Sequence, residues 1–172
     1  TRRSLDQADH FGYRAAHWAC LVGQVRTLQR LLEAGAAARC RTRGARWTPM
    51  MVAAARGHHE CIRALLRHHS GDEAWAAAAD VDAEVGVKTD CGGLRQQISD
   101  SHSIPHLLMQ GSTALHCACM NGRTEAALVL MAKGLADPNA KDLKGRTPIT
   151  LAYDRRHTLC AQIIEVRAYL RE

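Results

Sequence analysis

His116, Cys117 and Cys119 lie within about one predicted helical turn, and their side chains are the ones in this sequence best suited to covalent chemistry. A thiol beside an imidazole can act as a nucleophile with its general base. Cys117 and Cys119 also fall on a predicted helix face of small side chains, where a cysteine packs as a small hydrophobic residue. We therefore expect a structural role for both cysteines and predict no catalytic residue.

A second group of potential ligands, Cys91, His102 and His106, lies in a stretch interrupted by glycine and serine. The two histidines have a spacing known from zinc sites, but the second cysteine of such a site is missing. We expect ordinary polar loop residues here and predict no metal and no cofactor. The alternative is a metal- or thiol-dependent activity in this stretch and around His116 and Cys119.

Charge and composition restrict the class of protein. The net charge of +6 favours acidic partners. The basic residues are scattered along the chain, which makes nucleic-acid binding a weaker alternative. No apolar stretch reaches the roughly 18 residues that a membrane helix needs. The seven cysteines mostly occupy helical positions that otherwise hold Ala or Val, which indicates free thiols in a reducing compartment. We expect an intracellular protein, cytoplasmic or nuclear.

One pattern occurs four times, in segments 14–23, 48–57, 113–122 and 147–156. Each segment predicts a helix of small residues, followed by a turn and a second helix with apolar residues at helical spacing. Thr48 and Thr147 are predicted to cap their helices, and the proline after each threonine suits the first helical position. A single helix pair cannot bury both of its faces, so the pattern predicts stacked pairs in an all-α solenoid.

The repeated segments identify a family resemblance. Thr113-Ala114-Leu115-His116 is close to a Thr-Pro-Leu-His core. The first two segments start at positions 14 and 48, and the last two start at positions 113 and 147. Both intervals are close to the period of about 33 residues that, with this core, is the signature of ankyrin repeats, and the chain resembles an ankyrin-repeat domain. The resemblance implies short β-turn fingers between the helix pairs, a hydrogen bond between Thr113 and His116, and protein binding rather than catalysis.

The second and third segments start at positions 48 and 113, nearly two periods apart, which leaves room for an insertion or for an eroded fifth repeat. Gly86, Gly92, Gly93 and Pro105 interrupt the extra residues, and this favours an insertion. The predicted division is an N-terminal flank 1–8, repeat 1 at 9–41, repeat 2 with an extended second helix at 42–83, an inserted finger loop or degenerate repeat at 84–108, repeat 3 at 109–141 and repeat 4 at 142–172.

The resemblance also implies a binding surface, because ankyrin partners dock on the concave face made by finger tips and first-helix ends. Tyr13 and Trp47 occupy the same place in adjacent repeats, and we expect them to form an exposed aromatic anchor. We predict a monomeric, non-enzymatic module that binds a protein partner of acidic character and no membrane. The predicted partner-binding residues are Phe11, Tyr13, Leu21, Val22, Trp47, Arg56, Ser112, Met120, Asn121, Lys144, Arg146 and Arg155.

Overall fold

The computed structural model of the chain describes residues 5–43, 46–69, 111–132 and 136–170. Within these ranges the chain forms helices and turns and no strand, which confirms the all-α prediction. The helices are α1 (Ala15–Val22), α2 (Val25–Glu33), α3 (Pro49–Arg56), α4 (His59–His69), α5 (Ala114–Met120), α6 (Thr124–Met131), α7 (Pro148–Asp154) and α8 (Thr158–Tyr169).

The helices are arranged in two layers. The first helices of the four pairs, α1, α3, α5 and α7, pack against one another in chain order, and the second helices, α2, α4, α6 and α8, do the same. Each first helix also packs on the second helix of its own pair. This arrangement is the predicted solenoid, in which each repeat contacts only its neighbours.

Repeats 2 and 3 contact each other directly, through α3 on α5 and through α4 on α6. Repeats 2 and 3 are therefore neighbours in the stack. Cys91, His102, His106 and the predicted insertion 84–108 lie outside the described residues. The division of the chain into repeats therefore stays a prediction.

The first helices begin where the sequence predicts. The Thr48 hydroxyl accepts a hydrogen bond from the Met51 N–H at 3.3 Å, and Thr147 accepts one from the Thr150 N–H at 3.3 Å. A proline follows each threonine as the first helical residue. These caps satisfy N–H groups that have no partner within the helix.

The core fills the space between the layers and between successive repeats. Large aliphatic side chains come mainly from the second helices, and small ones from the first helices allow the repeats to approach closely. The six cysteines of the described residues are free and buried, and for all but Cys40 the helical positions that otherwise hold Ala or Val predict this. Fully buried examples are Leu28, Ile62, Leu65, Leu130, Ile164, Ala53, Ala54, Ala118 and Ala152.

Adjacent fingers are joined through a tight turn at Gly12. This residue has a φ of +84°, and a Cβ built on it lies 2.4 Å from the Arg43 nitrogen. The same Arg43 N–H donates to the Phe11 carbonyl at 3.1 Å, so the close approach is part of the contact between repeats 1 and 2. Only glycine fits a position that combines a left-handed backbone with this proximity.

Candidate protein-binding site

His116 links repeat 3 to repeat 4. Its Nδ1 atom accepts a hydrogen bond from the Thr113 N–H at 3.1 Å and lies 2.8 Å from the Thr113 hydroxyl, which confirms the predicted Thr113–His116 bond. Its Nε2–H donates to the Arg146 carbonyl of the next finger at 3.0 Å. The imidazole is buried, and burial lowers its pKa below the ordinary value. Both ring nitrogens are thus used in holding the stack.

The thiols near His116 are not activated as nucleophiles. Burial raises the pKa of Cys117. A hydrogen bond with Cys160, together with burial, raises the pKa of Cys119. Because the thiolate is the reactive form, a raised pKa keeps both side chains protonated at neutral pH. These contacts support the structural interpretation of the cluster.

His17 makes the same link between repeats 1 and 2 although no threonine precedes its helix. Its Nδ1 accepts from the Arg14 N–H at 3.2 Å, and its Nε2–H donates to the Trp47 carbonyl at 3.0 Å. Burial lowers the pKa of this histidine as well. The backbone N–H of Arg14 therefore supplies the bond that Thr113 supplies in repeat 3.

An exposed group of apolar side chains lies on repeat 1. Phe11, Trp18 and Val22 are 51%, 48% and 62% exposed, and Tyr13 and Leu21 beside them are half-buried. The Tyr13 and Trp18 rings contact each other with centroids 5.6 Å apart. Leu21 and Val22 follow Trp18 by three and four positions on α1, which places them on its side of the helix. We call these five residues the aromatic face.

Asp9 holds the aromatic face in place. One oxygen of its carboxylate accepts from the Phe11 and Tyr13 N–H groups at 3.0 and 2.8 Å, and the other accepts from the Trp18 indole N–H at 3.1 Å. The finger and α1 are thus tied together by one side chain. A surface fixed in this way loses little conformational entropy when a partner binds.

Two charged side chains act on the aromatic face, Asp9 of repeat 1 and Arg56 of repeat 2. Burial, then the Asp9 carboxylate, raises the pKa of Tyr13, and the positive charge of Arg56 opposes both effects. Arg56 is therefore close enough to act on the Tyr13 hydroxyl. The aromatic face borders a basic group at the end of α3.

The twelve predicted binding residues differ in exposure. Phe11, Val22, Lys144 and Arg155 are exposed, and the half-buried ones are Tyr13, Leu21, Arg56, Asn121 and Arg146. Trp47, Ser112 and Met120 are buried, and the expectation that they lie on the surface is wrong. The binding role of the other nine stays a prediction.

Trp47 is a core residue with 1% of its surface exposed. Its N–H donates to the Thr42 hydroxyl at 2.9 Å and its carbonyl accepts from His17, so the backbone is held on both sides. Its ring belongs to the hydrophobic cluster that runs through the stack. Tyr13, at the same place in repeat 1, is more exposed because, among the described residues, helices of another repeat pack on repeat 1 from the side of repeat 2 only.

Ser112 and Met120 are buried because α5 lies between α3 and α7, and every residue of α5 is buried. Met120 is 4% exposed. A first helix with repeats on both sides offers less surface than α1, which packs on one repeat besides its own in the described residues.

In repeats 3 and 4, two of the half-buried residues have structural roles. The Asn121 side chain donates to the Cys117 carbonyl at 2.8 Å and caps the end of α5. The Arg146 guanidinium binds the Asp142 carboxylate at 2.7 and 2.9 Å. Burial alone would raise the pKa of Asp142, but hydrogen bonds from the Arg146 backbone and side chain and from the Lys144 N–H hold it below the ordinary value.

Trp18 belongs to the aromatic face but was not among the predicted binding residues. It occupies the repeat position of Val52 in α3 and Cys117 in α5, both fully buried. The signal available in the sequence was the size of the side chain, because a tryptophan in the first repeat replaces the smaller residues of the next two repeats.

A family model described as "Ankyrin repeats (3 copies)" matches residues 3–84 and 87–168, and so covers most of the chain. The chain belongs to the ankyrin-repeat family. Ankyrin repeats form protein–protein interaction modules, and the family is generally non-enzymatic. The expected resemblance is confirmed by this match and by the two-layer helical stack.

Two relatives are the SMC5-SMC6 complex localization factor protein 1 of Homo sapiens and of Bos taurus, 39% and 38% identical over 56 residues, or 33% of this chain. The ankyrin repeat and SOCS box protein 11 of Danio rerio is 29% identical over 120 residues, or 63% of this chain. The matches cover 5% of each localization factor and 36% of the SOCS box protein, so the chain spans a minor part of each relative.

The part of the chain that the structure describes contains neither a metal-binding cluster nor a membrane-spanning helix. No group of three His, Cys, Asp or Glu side chains there is placed to hold a metal ion. No helix there is long and apolar enough to cross a membrane.

Proposed function

We propose that this ankyrin module binds a protein partner through the aromatic face of repeat 1. The observation that carries the proposal is the exposure of Trp18 and Val22 one turn apart on α1, with Phe11 exposed on the finger, while Asp9 ties the backbone of that finger to the Trp18 indole. Single exposed apolar residues are common on proteins, but a grouped and rigid set is typical of an interface. Aromatic residues in particular dominate binding energy.

The chemistry of the face defines the partner segment. An aliphatic or aromatic side chain of the partner packs on Trp18 and Val22, and an acidic group of the partner lies towards Arg56. The effect of the Arg56 charge on Tyr13 and the net charge of +6 support this orientation of the partner. Charge of this kind accelerates association and orients the partner more than it adds affinity. Within this proposal the protein acts inside the cell as a monomer.

An enrichment experiment with matched variants tests the proposal. Wild-type protein, a Trp18→Ala/Val22→Ala double variant and a Leu159→Ala/Val166→Ala double variant are used as baits in extracts. Leu159 and Val166 are 64% and 60% exposed on α8, so the control removes comparable apolar surface elsewhere. The first variant should lose partners that the control retains. Equal recovery by the wild type and both variants would contradict the proposal.

A further inference from the structure

A row of basic side chains runs along one edge of the stack, at the turns where the first helix of a repeat ends and its second helix begins. The row draws on repeats 2, 3 and 4. Its members in the described residues are Arg56, His58, Arg123, Arg155, Arg156 and His157. We call these six residues the basic row.

Contacts between repeats hold three members of the row in place. The stem of Arg123 crosses the turn of the repeat before it, because a Cβ built on Gly57 lies 2.8 Å from the Arg123 Cδ atom. The His58 and His157 imidazoles lie in the same way on the glycine at this place in the preceding repeat, with such a Cβ 2.7 and 2.6 Å from the ring Nδ1. Each of these side chains is therefore placed over the junction of two repeats.

Two of the arginines stand where the fold alone favours another residue. Arg123 is the N-cap residue of α6, and its side chain makes no cap hydrogen bond. Ser, Asp or Asn would cap the helix there, and the helix dipole disfavours a cation at this end. Arg156 has a φ of +63° in a turn where the other three repeats have glycine, and a left-handed backbone is costly for a residue with a Cβ. Stability therefore explains neither arginine, although Arg56 and Arg155 suit the ends of their helices.

The charge of this edge is positive. Its carboxylates are Glu60, Glu125 and Asp154. Glu60 is already bound to Arg63, at 2.7 Å between carboxylate and guanidinium. The three exposed arginines of the row take part in none of the ion pairs within the described residues. An acidic segment is therefore attracted to the basic row.

The spacing of the row fits an extended segment. Packed helices lie about 8–10 Å apart, so basic side chains of successive repeats are separated by about this distance. A polyproline II segment has three residues per turn and rises about 3.1 Å per residue, which puts every third side chain on the same side, about 9 Å further along. Charged segments repel themselves and extend, so an acidic segment adopts such a form readily.

We propose that the basic row binds an acidic, extended segment of the protein partner, with carboxylates at every third residue. Val22 of the aromatic face and Arg56 occupy the same position in successive repeats, directly before the turn glycine. The acidic segment is therefore continuous with the part of the partner that packs on the aromatic face, and for that partner the inference rests on the proposed function. The guanidinium groups pair with the carboxylates, and the pairing weakens as salt rises.

The test uses the whole chain and two labelled peptides that lack an aromatic or aliphatic anchor. The spaced peptide repeats Glu-Pro-Ala four times, and the grouped peptide has the same composition with its four glutamates together. Fluorescence anisotropy at about 50 mM salt measures binding, because exposed charges are screened less there than at higher salt. The spaced peptide should bind about fivefold more tightly than the grouped one.

Two triple variants with the same loss of charge locate the binding. The test variant is Arg123→Gln/Arg155→Gln/Arg156→Gly, and the control is Arg30→Gln/Lys141→Gln/Arg167→Gln, at exposed positions outside the row. The test variant should bind the spaced peptide about tenfold more weakly, and the control should change the affinity less than about twofold. Because glycine accepts the backbone of Arg156, the single variant Arg156→Gly should weaken binding without lowering the Tm.

The outcome for the basic row is separable from that for the aromatic face. Trp18→Ala/Val22→Ala should bind the spaced peptide as the wild type does, because the peptide has no side chain for the aromatic face. Equal affinity for the two peptides, no measurable binding of the spaced peptide, or equal losses in the two triple variants would overturn the proposal. Tighter binding of a thymidine pentanucleotide, which carries the same four negative charges, would overturn it as well.

Discussion

Replacing His116 by alanine should destabilise the fold, because the imidazole is hydrogen-bonded at both ring nitrogens, to Thr113 and to Arg146. The Arg146 carbonyl keeps a second donor, the Asp142 N–H at 3.0 Å, and so remains satisfied. The buried Thr113 N–H loses the acceptor that it has at 3.1 Å. An unsatisfied buried donor costs about 1–3 kcal/mol, and we expect the free energy of unfolding to fall by that amount. This decrease is measured by urea unfolding, with far-ultraviolet circular dichroism as the signal.

Two further variants separate the bond within repeat 3 from the bond between repeats. A glutamine at the third helical position can reach back to the N-cap N–H, so His116→Gln should keep the Thr113 bond and lose only the contact with repeat 4. The free energy of unfolding should therefore fall less in His116→Gln than in His116→Ala. His10→Ala, at an exposed position, should change little. If His116→Ala cost less than about 0.5 kcal/mol, as surface substitutions usually do, the structural role assigned to this histidine would be refuted.

Three other predictions concern stability. In urea unfolding, Gly12→Ala should lower the free energy of unfolding more than Gly145→Ala. Both positions have a positive φ, but of the two only Gly12 would place the added Cβ against a backbone nitrogen. Trp47→Ala should cost about 3–5 kcal/mol, because the ring is buried in the core; a loss below about 1 kcal/mol would contradict this. The pKa values of His17 and His116 are lowered in the folded state, so the unfolded state binds protons first as the pH falls below about 6.5. The free energy of unfolding should therefore be smaller at pH 5 than at pH 7.5, and a double glutamine variant should weaken this dependence.

The local features of the fold were predictable because they depend on few residues. Thr48 with its proline and Thr147 with its proline define helix starts through one hydrogen bond each, and a sequence displays such pairs directly. The repeat period then indicated the stack. The link made by His17 was less visible, because Arg14 stands at the position of Thr113 and binds the histidine through its backbone N–H without a threonine hydroxyl.

The binding surface was harder to predict because exposure depends on neighbours. Tyr13 and Trp47 share a repeat position, yet Trp47 is buried between repeats 1 and 2, whereas among the described residues no other repeat covers Tyr13 from the opposite side. Trp18 and Cys117 also share a position and differ for the same reason.

The most direct test of the central claim is the affinity of one purified partner, obtained from the enrichment experiment, for three forms of the protein. Isothermal titration calorimetry should show that Trp18→Ala/Val22→Ala weakens binding by about 2 kcal/mol or more, roughly 30-fold, while Leu159→Ala/Val166→Ala changes it by less than about 0.5 kcal/mol. Unchanged affinity in the first variant, with its fold intact by circular dichroism, or a larger loss in the second, would contradict the assignment of binding to the aromatic face.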